Sequence, residues 1–253
     1  MDCNCMKVSG YIGILVTAVA MSVAAVATAA TNYEVTAVKA SRFFEWREWA
    51  SAEALYGLML AEKPDVDSTY VKAIVAASMI GHTDAASHLL TQAMKAGVSF
   101  PRLMAGVKTV SFEVGAANVY EDFLLRSQRD CPWLERAIDA ELLKYYQFRD
   151  NGELIVRYAR KMLAGVPQSV DYLSALAEGY VITGDYDSAI AAWQKILEVS
   201  PEDYLTLLKL GNYYANAGQR EEALEYLGRA EAVRATPYVT QRLASLDSVG
   251  KKL

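Results

Sequence analysis

An all-α chain built of repeated helix-turn-helix units is the fold class this sequence predicts, and three observations predict it. First, two segments of the 253-residue chain repeat each other in register. Gly184-Asp185-Tyr186-Asp187-Ser188-Ala189-Ile190 and Gly218-Gln219-Arg220-Glu221-Glu222-Ala223-Leu224 hold their glycines 34 residues apart. At the same offset Leu176 corresponds to Leu210, Tyr180 to Tyr214, Ala189 to Ala223 and Trp193 to Leu227. Second, the six prolines, Pro64, Pro101, Pro132, Pro167, Pro201 and Pro237, are spaced by 37, 31, 35, 34 and 36 residues. Proline is tolerated at the first turn of a helix and disfavoured inside one, so such spacing marks unit boundaries. Third, the chain is 53% hydrophobic with 15 glycines and scarce alternating Val-rich runs, a balance that favours helices over strands.

Leu210-Gly211, Tyr214, Gly218, Ala223 and Ala230 match the 34-residue pattern of the tetratricopeptide repeat closely, and Leu176-Ala177, Tyr180, Gly184, Ala189, Trp193 and Pro201 match it one unit earlier, with Ile196 in place of the usual small residue. The segment Asp171–Pro237 therefore resembles that family, and the resemblance implies a right-handed α-solenoid. The pattern has a physical basis. Ala189 and Ala223 let a second helix lie close to the first, while Tyr180, Trp193 and Tyr214 fill the space beside them. One unit cannot bury its apolar face alone, so units stack.

In chain order, the first 30 residues read as an export signal. Lys7 precedes an apolar run from Val8 to Ala27, and small residues at 25–30 suit cleavage after Ala29 or Ala30. The competing reading is a retained membrane anchor, because Gly10 to Ala30 could just span a bilayer of about 30 Å. Both readings place the repeats outside the cytoplasm, periplasmic or extracellular in the first and facing the periplasm from the inner membrane in the second. Translation starting at Met6 rather than Met1 would give a more typical opening. With the signal removed, Cys131 is the sole cysteine and no internal disulfide is possible; its expected role is that of a small buried apolar residue.

Residues 33–66 form a first unit, with Ala52, Tyr56, Met59 and Pro64 in second-helix positions after a helix over about Val35 to Phe44. Residues 67–100 form a second, turning at Gly81 with Ala86, Leu90 and Ala93 behind it. Residues 101–135 are the weakest, since β-branched Val107, Thr109 and Val110 lower helix propensity. Asn118 to Arg129 nevertheless reads as a second helix with Tyr120, Phe123 and Leu124 inward. Residues 136–167 keep the period through Leu142, Tyr146, Ile155, Ala159, Met162 and Pro167. With the clear pair this makes about six repeats over 33–237. In Ser200-Pro201-Glu202-Asp203 the sequence predicts Ser200 as a cap and Pro201 at the first helical position. Val239 to Val249, within 238–253, is a capping helix with a polar outer face.

Chemistry-bearing motifs are sparse. No metal-ligand spacing, nucleophile elbow or phosphate-binding glycine loop occurs, so the chain is read as non-catalytic, without cofactor or metal. His82 and His88 are six apart and fall on different helix faces. The net charge is −5, and residues 171–203 alone hold seven acids against Lys195, or −6. No basic stripe suits nucleic acid.

The family resemblance implies a groove lined by the first helix of each unit, which here places Lys144, Gln147, Ser174, Glu178, Lys209, Asn212 and Asn216 at the groove face. Asn212 matches one position of the Lys/Asn/Arg set that clamps a terminal carboxylate in the chaperone-binding branch of the family. Ser174 and Glu178 stand where that clamp needs basic and amide groups. The expected partner is therefore a protein or peptide with basic groups of its own. Tyrosines 145, 146, 180, 213 and 214 come at first-helix positions, with Tyr180 and Tyr214 expected in the core. The expected function is an exported interaction scaffold; the alternative is a membrane-anchored assembly subunit of a secretion or pilus type complex, touching membrane only through its N-terminal segment.

Overall fold

A computed structural model of the chain describes residues 32–250, the last four by backbone only. The expected export signal lies outside these residues. Among the described residues there are thirteen α-helices, one short 3-10 turn (Pro132–Leu134) and no strand. They pair as α1 (32–45) with α2 (Trp49–Glu62), α3 (Asp67–Met79) with α4 (Thr83–Lys95), α5 (Phe100–Glu113) with α6 (Ala117–Asp130), α7 (Glu135–Phe148) with α8 (Gly152–Gly165), α9 (Val170–Thr183) with α10 (Tyr186–Val199), and α11 (Tyr204–Asn216) with α12 (Arg220–Val233); α13 (Pro237–Gly250) follows. None of these helices is long and apolar enough to cross a membrane.

The regularity that the prolines only approximate is carried by the turns. Each paired turn has one residue in the left-handed region: Arg47, Gly81, Gly115, Asp150, Gly184 and Gly218, at successive spacings of 34, 34, 35, 34 and 34. The hydrogen bonding is the same every time. The residue after the left-handed one donates its N–H to the carbonyl five residues back, as Asp185 does to Tyr180 at 2.9 Å, Asn151 to Tyr146 at 3.0 Å and Glu48 to Phe43 at 2.8 Å. This Schellman closure satisfies carbonyls that a helix end leaves without partners. Glycine adopts the required angle without Cβ strain, whereas Arg47 (φ 61°) and Asp150 (φ 49°) adopt it against a side-chain penalty.

Prolines mark boundaries, though by two routes. Pro101 and Pro237 sit in the first turn of α5 and α13. Pro201 does not take the first helical position expected of it: Ser200 closes α10, and α11 starts at Tyr204 with Asp203 as its cap, whose carboxylate accepts from Thr206 N at 2.8 Å. An Asp three residues before the first exposed turn amide outcompetes the Ser-Pro pair as helix start. The β-branched stretch 107–110 is helical despite its propensity, because Val107 is fully buried in α5.

Two compact units divide the chain between Trp133 and Leu134. In the first, α3 is central and touches α2, α4, α5 and α6. Its Tyr70, Ile74 and Val75 are buried, and a Cβ at Gly106 of α5 would lie 2.6 Å from Val71. In the second, each helix packs on the next, from α7 through α13. Its core gathers Leu173, Ala177, Ala189, Trp193, Ile196, Leu207 and Leu210. Tyr180 is buried as expected; Tyr214 is partly buried and stacks on Tyr226 at 5.6 Å. Asp139, buried in α7, is held by Lys161 of α8 at 2.7 Å. Burial alone would lower the Lys161 ammonium, but its bonds to Asp139 and Glu135 outweigh that and raise it.

Candidate functional site

The second unit contains an open groove of about 770 Å³. Its walls are the end of α7 and the turn after it (Gln147, Asp150), the face of α9 that carries Asp171, Ser174, Ala175, Glu178, Val181 and Ile182, and the face of α11 that carries Lys209, Asn212 and Tyr213, with Tyr186 and Trp193 of α10 between them.

The 34-residue register explains why the groove opens here. Where α8 meets α9, Gly152 and Gly179 face each other so closely that a Cβ on Gly179 would sit 3.0 Å from the Gly152 carbonyl and 2.9 Å from Val156. One unit later the same two positions are Tyr186 and Tyr213, whose rings lie 5.6 Å apart at 32°. Glycines bring α8 and α9 into contact, and tyrosines hold α10 and α11 apart as a wedge. The floor includes Trp193, buried, whose indole N–H has no hydrogen-bond partner among the described residues.

Of the seven residues expected at the groove face, five line it: Gln147, Ser174, Glu178, Lys209 and Asn212. Lys144 is exposed one turn away and pairs with Glu141 at 2.9 Å. Asn216 does not line the groove. Its side-chain carbonyl accepts from Arg242 of α13 at 3.0 Å, while Asn212 accepts from Tyr238 at 3.0 Å and from Arg242 at 3.4 Å. α13 thus occupies the space after α11 as the first helix of a further unit would, with Tyr238 34 residues after Tyr204. The groove is crossed at its other end by Gln147, which donates to Glu178 at 2.6 Å.

Asp150, Asp171, Ala175, Val181, Ile182, Tyr186, Trp193 and Tyr213 were not expected in the groove. The register would have found Ala175, which precedes Lys209 by 34 residues, and the charge count already included Asp171. Tyr186 and Trp193 belong to α10, a second helix, which a first-helix rule omits, and Ile182 lies in the last turn of α9.

The first unit has a smaller polar hollow of about 330 Å³ near Asp84, His88, Arg126 and Cys131. Arg126 bonds both Asp84 and Asp130, so the charges are satisfied internally, and its guanidinium holds the Asp130 carboxyl below the usual range. Cys131 is buried there, as expected, but its thiol meets polar groups, the Thr91 hydroxyl at 3.5 Å and the Ser87 carbonyl at 3.9 Å. His82 bonds Glu53 at 2.9 Å and does not line the hollow that His88 lines. No cluster of three metal-ligating side chains occurs among the described residues.

No protein-family model matches the chain, and no curated protein matches it in sequence. Solved structures match its fold. A candidate protein-binding protein from Bacteroides ovatus aligns at 17% identity over 67% of this chain and 98% of its own, with a TM-score of 0.53. A chain of the Naa15/Naa10 complex bound to HypK-THB aligns at 16% identity over 87% of this chain and 34% of its own, with a TM-score of 0.51. YrrB, a tetratricopeptide-repeat protein with an unusual peptide-binding site, aligns at 16% identity over 78% and 98% with a TM-score of 0.48. The fold of this chain is an all-α fold of repeated helix pairs.

Proposed function

We propose that this protein is an exported, non-catalytic interaction module that holds a segment of a partner protein in the groove between α7, α9 and α11. The observation that carries this reading is the groove itself. It combines exposed apolar side chains, Ile182 at 41% and Tyr186 at 45% exposure, with amide and hydroxyl groups on adjacent turns, and it lacks a nucleophile–base pair. Apolar and aromatic side chains rimmed by polar groups are what a polypeptide-binding surface presents. The small-residue run at 25–30 supports export, and the apolar run 8–27 supports a second reading in which that segment is retained as an anchor for an envelope assembly. N-terminal sequencing of the fractionated protein separates the two: a start near Ala30 or Thr31 removes the anchored version.

The groove is tested by affinity capture with the wild-type chain, Glu178→Lys, and Glu198→Lys as a control of equal charge change on an exposed site outside the groove. Loss of partners with Glu178→Lys alone is expected. Equal recovery with all three would place the binding surface elsewhere. Asn212→Ala is unsuited to this test, because it also removes the acceptor of Tyr238 and Arg242.

A further inference from the structure

We infer that the segment held in the groove carries a basic side chain, Arg or Lys, next to a large apolar one. This rests on the groove reading above and adds the chemistry of what fills it.

Charge is the first ground. Asp150, Asp171 and Glu178 line the groove against the single amine of Lys209, and none of the three carboxylates is ion-paired among the described residues. Gln147 satisfies one oxygen of Glu178 as a neutral donor and leaves its charge in place. The groove is therefore anionic by two charges, and two of its carboxylates, Asp171 and Glu178, belong to the segment 171–203 that holds more than the whole net charge of the chain. Partly enclosed charge of one sign raises the local concentration of the opposite one.

The rings are the second. Tyr186 and Tyr213 form a tilted pair lining the same groove as these carboxylates, with Tyr186 half open to solvent. Ring faces near carboxylates suit a guanidinium or ammonium, which is drawn to both. Ile182 and Val181 provide the apolar strip alongside.

The third ground separates a polypeptide from a small cation. The Asn212 carbonyl is taken by α13, which leaves its NH₂ as donor; the Gln147 NH₂ is taken by Glu178, which leaves its carbonyl as acceptor. A free donor and a free acceptor at opposite ends of one groove match the N–H and C=O that an extended chain brings unpaired.

Three libraries of short random peptides, identical except for a fixed central Arg, citrulline or Glu, test this by fluorescence anisotropy with the full chain. The Arg library is expected to bind about tenfold more tightly than citrulline at low salt, as a few exposed ion pairs and one ring contact together provide. That advantage should shrink at high salt, and Asp171→Asn with Glu178→Gln should abolish it. Tyr186→Ala should weaken the Arg library more than the citrulline one. Binding of all three alike, or preference for Glu, overturns the inference and leaves the groove reading standing. Binding of none, with no anisotropy change on adding unlabelled chain, overturns both.

Discussion

A left-handed residue closes every paired turn, and this single backbone requirement is the most regular feature of the chain. Gly184 has open space around its Cβ position, so Gly184→Ala should cost only the conformational penalty, about 1 kcal/mol by urea denaturation. Arg47→Gly should act in the opposite sense, stabilising by up to about 1 kcal/mol as the φ 61° strain is relieved. Were Arg47→Gly destabilising, the turn would not be strained. Sequence reading found Gly81, Gly184 and Gly218 but could not place Arg47 or Asp150, because a residue forced into this region by its neighbours leaves no residue-type signal. A second residue-scale expectation concerns Tyr56, which burial pushes up to about 12. A phenol raised above its unfolded value of about 10 keeps the fold indifferent to pH below 10 and loses stability as pH rises from 10 toward 12. The stability drop between pH 9 and pH 11 should be about 1 kcal/mol smaller in Tyr56→Phe than in wild type.

At the scale of elements, what one pair of positions holds decides whether adjacent helices touch or part. Gly179→Ala would place a methyl against the Gly152 carbonyl and Val156, with backbone on one side that cannot rotate away. It should cost about 2 kcal/mol, more than Gly184→Ala, and both are measured on one denaturation scale. The Lys161–Asp139 pair ties α8 to α7 with one carboxylate almost fully buried. Lys161→Met should cost about 1–2 kcal/mol, discounted because the ammonium is 43% exposed. Adding Asp139→Asn should recover part of the loss; no recovery would mean that the pair is held for packing alone. Helix pairing was legible because apolar spacing survives even in weak units, as Tyr120, Phe123 and Leu124 show. Helix starts were less so. Asp203 and Pro201 both offer a start within three residues, and side-chain capping geometry, which the sequence does not contain, decides between them.

For the whole molecule, the repeat period and the acidity of residues 171–203 were both legible, and they converge on the same groove. What sequence could not show is that the opening depends on tyrosines at positions that hold glycines one unit earlier, or that α13 draws Asn212 and Asn216 into its own contacts. Those are properties of neighbours in space. The proposed function requires a partner segment to lie in the groove between α7, α9 and α11. A photo-crosslinking phenylalanine at Ile182, exposed within the groove, and another at Leu205, exposed at 61% outside it, test this most directly with the partners recovered by affinity capture. Crosslinks from position 182 and none from 205 are the predicted result; crosslinks from 205 with none from 182 would contradict it.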